Sequence, residues 1–247
     1  MTVITPTLRT GGSTVFSANN VANPTTLSPV LPTRTRGDVL LCFAWCISIT
    51  ATVATPSGWT LLTGFPVRSG TAGGGSLYVF ARLVDGAETA PSVVWSGVTT
   101  GTSGDSNGAV VNAYSGIDVS RGIANILDGP VQISDQTGST TTVTIPAITT
   151  TTKHSLEIGV AFKLLESSGA TFTAPAGNWF ESNDSNTTSG TGHWIEMSYK
   201  VQDVIGSIGS VTATPSVTTS SRALGVAFSM KCAKPPRNVG NFAAGVA

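Results

Sequence analysis

This 247-residue chain repeats itself, and that repeat limits its possible folds more than any other feature. Residues 25–43 read TTLSPVLPTRTRGDVLLCF and residues 142–160 read TVTIPAITTTTKHSLEIGV, with Pro29 against Pro146 and Leu31 against Ile148 at an offset of 117. PSGWTLL (56–62) then meets PAGNWFE (175–181), with a tryptophan shortly after Pro-x-Gly in both. GSLYVFARLV (75–84) meets GHWIEMSYKV (192–201), and AVVNAYS (109–115) meets ALGVAFS (223–229). The matched segments keep one order while their offsets drift only between 114 and 119, which implies two halves of one architecture.

The repeated unit is built of strands. Runs rich in Val, Ile, Thr and aromatics occur at 38–49, 76–84, 90–98 and 109–115, and again at 155–165, 193–202, 208–218 and 223–232. Gly, Pro, Asn and Ser clusters bound them. In 223–232 the even positions are Leu224, Val226, Phe228, Met230 and Cys232 and the odd ones small, so one face is bulky and the other admits close approach of a second layer. Residues 38–49 are apolar on both faces, as in a central strand covered on both sides. Helical periodicity is confined to a single turn near 119–127, weakened by Gly122.

The expected fold is an all-β, jelly-roll-like antiparallel β-sandwich of two pseudo-repeated halves, with extended N- and C-terminal arms. Its divisions are an arm at 1–19, a first half at 20–118, a connecting segment at 119–136, a second half at 137–232 and an arm at 233–247. The halves can stand as two small sandwiches in tandem or interlock into one. The connecting segment has little of the Gly/Ser character of a flexible linker, and this favours interlocking.

Composition sets the chemical limits. Only 11% of residues are charged and the formal net charge is zero, while 37 threonines and 28 serines put a hydroxyl on about a quarter of the chain. Such a balance gives no electrostatic reason to bind nucleic acid or an anionic membrane. The longest apolar run, Val39 to Ile47, is too short to span a bilayer, and residues 1–20 lack the basic start and apolar stretch of a signal peptide. Cys42 and Cys46 lie four residues apart on one extended strand, about 13 Å by strand rise, too far for a disulfide. Free thiols are expected, and no C-x-x-C or nearby histidine suggests zinc.

The segments resemble a known family. A Thr-rich approach to GDVLL, then PSGWTLL, then R-x-x-D-G-A-E at 82–88 and AYSGID at 113–118, is similar to a β-rich domain of tail-associated and other virion proteins of bacteriophages infecting actinobacteria, also found in surface proteins of those hosts. ITTTTKHSLEIGVAF (148–162) resembles the opening strand of its second half. The likeness covers roughly 25–232. It implies an assembly component, such as a minor tail, fibre or capsid-surface protein, and supplies no catalytic residue.

Residue chemistry points the same way. There is no strand–turn–helix elbow of the G-x-S-x-G type for a serine nucleophile, and only His154 and His193 are available as bases. Glu157 and Glu196 each stand alone on their strands, and Glu181 and Asp184 lie near one another in a polar loop, so no local carboxylate pair of the glycosidase type is offered. GTAGGGS (70–76) has clustered glycines but no lysine and opens no helix, which excludes a phosphate cradle. Asp105 and Asn107 lack the acidic spacing of a calcium loop. No catalytic residue, metal site or cofactor is therefore expected, and the chain is read as not an enzyme.

Two surfaces remain as candidates. Trp59 and Trp179, with Asp184, Asn186 and His193 around the polar stretch 182–192, form a candidate carbohydrate contact, because indoles stack on sugars and amides or carboxylates bind hydroxyls. Duplication of the tryptophans favours a core role instead, since duplicated core positions are kept for packing. The C-terminal segment, with Lys234, Pro235, Pro236, Arg237 and Phe242, is a candidate assembly arm. The sequence thus predicts a virion structural protein, assembled in the bacterial host cytoplasm and most simply a minor tail or tail-tip component. Its partners would be other virion proteins and copies of itself, with host-surface glycan as a further contact. A capsid decoration protein and a carbohydrate-binding module are the alternatives.

Overall fold

A computed structural model describes residues 5–17, 25–70, 74–100, 104–164, 171–187, 192–216 and 221–233. The first half contains β1 (Thr7–Thr10), β2 (Val15–Ser17), β3 (Thr25–Leu27), β4 (Val39–Cys46), β5 (Thr52–Val53), β6 (Thr60–Leu61), β7 (Val67–Arg68), β8 (Ser76–Leu83), β9 (Val93–Ser96) and β10 (Asn107–Ser115). A single 3-10 turn, Ile123–Asn125, follows where the weak helical signal lay. The second half contains β11 (Gln132–Thr140), β12 (Val143–Ile145), β13 (Ile148–Thr150), β14 (Ser155–Leu164), β15 (Phe172–Thr173), β16 (Phe180–Thr187), β17 (His193–Gln202), β18 (Gly206–Ile208), β19 (Val211–Pro215) and β20 (Ser221–Met230). All strand pairings are antiparallel, and the fold is an all-β sandwich.

Each half builds a large sheet and a three-stranded small one in the same order, and the second half adds the two-stranded pair β13–β18. The large sheets run β1–β10–β4–β8–β6 and β11–β20–β14–β17–β16, and the small ones β3–β9–β5 and β12–β19–β15. The large sheets face each other. Val39, Leu41, Phe43 and Trp45 of β4 share one core with Leu156, Ile158, Val160 and Phe162 of β14. The opposite face of β4, with Leu40, Cys42 and Ala44, forms a second core with Leu27, Val93 and Trp95 of the first small sheet. Val143, Ile145, Phe172 and Ala213 cover the second large sheet in the same way. The result is four layers, with the two large sheets inside. Period-2 alternation produces this arrangement because central strands apolar on both faces must be covered on both faces.

Several expectations are corrected. The strands do not interlock: among the described residues every paired ladder stays within one half, and the β-bridges beyond them are isolated ones at Ile117–Cys232, between the halves, and Leu127–Met230, from the connecting segment. Side-chain packing unites the halves, since each large sheet has an apolar face left to bury. The expected N-terminal arm is in part a sheet edge, because β1 and β2 both pair with β10 as β11 pairs with β20. The repeat therefore begins earlier than sequence similarity reveals, and an exposed edge strand is free to diverge. The connecting segment ends at β11, so the boundary at 136 falls inside a strand. Residues 180–187, read as loop, form the edge strand β16.

The register also corrects one alignment. Ala44 pairs with Tyr78 and Ala161 with Glu196, so Tyr78 corresponds to Glu196 at an offset one residue larger than the sequence match suggested. A one-residue slip would exchange buried and outward faces.

Mutual strapping of the edges reinforces the stack. The Thr14 hydroxyl donates to Asn183 Oδ1 at 3.0 Å, and Asn183 Nδ2 donates to the Gly12 carbonyl at 3.2 Å, tying the N-terminal segment to β16. Reciprocally, the Ser69 hydroxyl and Gly70 N–H donate to Asp135 of β11 at 2.8 and 2.6 Å. The two straps occupy pseudo-symmetric positions.

Candidate functional site

The motif residues are built into the scaffold. Asp38 of GDVLL is 3% exposed; its carboxylate accepts from Arg9 Nε at 2.5 Å, Arg9 Nη2 at 3.0 Å and the Thr35 N–H at 2.7 Å. This closes the turn into β4 and anchors β1 beside it. In PSGWTLL, Gly58 takes φ +76° and the Trp59 N–H donates to the Pro56 carbonyl at 3.0 Å. In AYSGID, Gly116 takes φ +74°, its carbonyl accepts from the Ala233 N–H at 2.7 Å, and the Asp118 N–H donates to the Lys231 carbonyl at 2.8 Å. Positive φ favours glycine at the two turns because it lacks a Cβ.

The candidate sugar contacts are not brought together. Trp59 is 6% exposed and belongs to the core between the first two layers. Trp179 is 8% exposed and lies over Gly159, on the outward face of the second large sheet. The two indoles therefore plug opposite outer sides of the stack, and both indole N–H groups lack a hydrogen-bond partner. Asn186 stands opposite Trp194 on the edge strand, and Asp184 opposite Glu196. His193 is a correction: it is fully buried in the centre of the molecule and unavailable to a ligand. Its Nε2 accepts from Trp45 Nε1 at 2.5 Å, and its Nδ1 lies 2.6 Å from the Ser106 hydroxyl. Acceptance at Nε2 places the ring proton on Nδ1, facing Ser106. Burial pushes His193 down to about 3, so it stays neutral. His154, at a turn with φ +59°, pairs with Asp203 at 3.1 Å.

The sequence reads Glu157 and Glu196 as lone acids on their strands and Asp184 as a loop residue. Glu157 and Glu196 are fully buried on the outward face of the second large sheet, and none of their carboxyl oxygens has a hydrogen-bond partner. Burial raises Glu196 to about 8, with the nearby charges of Glu181 and Asp184 adding to the effect and the Ser198 hydroxyl opposing it. Burial raises Glu157 to about 7, opposed by Lys200 across the strand pair. Asp184 rises to about 6, again mainly by burial, although its Oδ2 accepts the Phe172 N–H at 2.9 Å. The available signal was position: Glu157 and Glu196 fall inside the otherwise apolar runs 156–162 and 194–197 of their strands.

Cys42, Cys46 and Cys232 are free thiols, the first two buried. Among the described residues, no group of three or more His, Cys, Asp or Glu side chains is placed to hold a metal ion. An open groove of about 750 Å³ is lined by Ile117, Asp118, Arg121, Thr151, Lys231 and Ala233. It lies where the last described strand ends. The candidate arm residues Lys234, Pro235, Pro236, Arg237 and Phe242 lie outside the described residues. No protein-family model, curated protein or solved structure matches the chain.

Proposed function

We propose that this chain is a non-enzymatic structural protein of a bacteriophage virion, a minor tail or tail-tip component, with the four-layer stack as its rigid body. The observation that carries the reading is the use of the motif residues: Asp38, Gly58, Trp59 and Gly116 close turns, fill cores and anchor strand ends. The resemblance in sequence is therefore one of scaffold, and it points to the virion setting of the similar domains. Edge strapping through Thr14–Asn183 and Ser69–Asp135 supports a module that transmits load as one body. The hydroxyl-rich, weakly charged composition suits close packing between copies, where charges would have to be desolvated. Burial of Trp59, Trp179 and His193 weighs against the sugar-binding alternative.

The test is to locate the chain in purified particles by tagged-copy electron microscopy and to delete residues 234–247. Tail localisation and loss of incorporation on deletion are the expected results. Absence from particles would overturn the reading, and a position on the head surface would replace the tail assignment with capsid decoration.

A further inference from the structure

The two halves share a topology but differ in what lies between their layers. In the first half the outward face of the large sheet presents Leu40, Cys42, Ala44, Tyr78 and Phe80 to the small sheet as an apolar cluster. In the second half the pairing register places Glu157 where the first has Leu40, and Glu196 where it has Tyr78. Both glutamates are 0% exposed and all four of their oxygens lack hydrogen-bond partners. The Ser229 hydroxyl and the Trp194 indole N–H on the same face also lack partners, and the Ser198 hydroxyl beside Glu196 opposes the effect of burial more weakly than any other cause acts. An ionised carboxylate without partners in such a place costs so much that the group takes up a proton instead.

We propose that the outer layer of the second half is held by a proton latch: protonated Glu157 and Glu196 let β12, β15 and β19 close over the large sheet, and their ionisation in mildly alkaline solution loosens this layer while its counterpart over the first half stays in place. The charged groups around the latch fit this assignment. Glu181 and Asp184 of β16 add negative charge beside Glu196 and oppose its ionisation. Among the described residues, Lys200 of β17 is the cation that acts on Glu157, and it makes no ion pair within 4 Å there. Lys163 of β14 lies on the same face, two strand positions beyond the row of Glu196, and burial lowers its own affinity for protons. The covering strands β12, β13, β15, β18 and β19 carry no titratable side chain. Those covering strands therefore hold no side chain that can neutralise the carboxyls once they ionise.

The sign follows from linkage. A carboxyl that binds its proton more tightly in the closed form stabilises that form fully below the ordinary carboxylate range. The contribution is lost as pH rises through the folded-state values near 7 and 8. The latch is thus shut in mild acid and released in mild alkali.

Amide hydrogen exchange on the full chain tests it, with rates corrected for the intrinsic effect of pH. Between about pH 6 and about pH 9, protection at residues 143–145 and 211–215 should fall by at least about tenfold relative to residues 25–27 and 93–96. Glu157→Gln combined with Glu196→Gln should abolish the difference. Equal loss in both halves, no loss, or persistence of the difference in the double variant overturns the proposal. Should the double variant fail to fold, the infrared band of protonated carboxyl groups in the unaltered protein near neutral pH decides: its presence, and its disappearance as the second-half amides lose protection, support the latch, and its absence overturns it.

Discussion

Gly75 and Phe162 offer a direct test of how the halves are joined, because they lie far apart in sequence and meet across the central core. Phe162 projects from β14 and is 4% exposed, and its ring lies over the backbone of Gly75, just before β8. A Cβ on Gly75 would stand 2.9 Å from both Cδ1 and Cζ of that ring and closer still to Cε1, where ordinary contact begins near 3.4 Å. Gly75→Ala must therefore displace the ring, an overpacking that costs about 1–3 kcal/mol. Phe162→Ala alone removes a buried aromatic and leaves a cavity, costing about 3–5 kcal/mol. In the double variant the new methyl meets the space the ring has vacated, so the Gly75 penalty disappears. The pair should then be less destabilising than the sum of the singles by about 1–3 kcal/mol, a coupling measurable by urea unfolding of all four proteins. Additivity within about 0.5 kcal/mol would refute the stacking of the large sheets, since independent halves have no means of sharing that energy.

Three further outcomes follow from the same geometry. His193→Ala strands the Trp45 N–H in the core, leaves a cavity beside Ser106 and should cost about 2–4 kcal/mol in a denaturant melt; in the parent protein the His193 ring resonances should not titrate between about pH 5 and pH 8, because burial holds the group near 3. Trp179→Ala should destabilise by about 3–5 kcal/mol while leaving any binding to cell-wall glycan unaltered, and a loss of glycan binding at unchanged stability would restore the sugar-site reading. Thiol labelling of the folded chain should modify Cys232 before the other two, since Cys42 and Cys46 are buried and burial holds the Cys46 thiol up at about 12; prompt labelling of all three would contradict the four-layer core.

Much of the candidate chemistry was legible as residue types but not as neighbours. Glu196 and Asp184 are both visible in the chain, yet nothing local shows that the β16–β17 register sets them opposite one another. The carboxylate pair that no single strand offers is assembled by pairing two strands. His193 shows the reverse case. It opens a strand beside a polar stretch, as a ligand contact would, but packing places it against Trp45 and Ser106 in the middle of the molecule.

The sequence by itself determined the long central strands, their two-sided burial and the duplication, because alternation and repetition are properties of the chain read in order. Val39 to Cys46 is apolar at every position, so coverage on both faces was unavoidable. Only the tertiary structure decided that the halves stack without exchanging strands, that β1 and β2 belong to the repeat, and that Tyr78 answers to Glu196. Those facts depend on register between strands remote in sequence. A shift of one residue there reverses every side chain, while the composition of the strands stays the same.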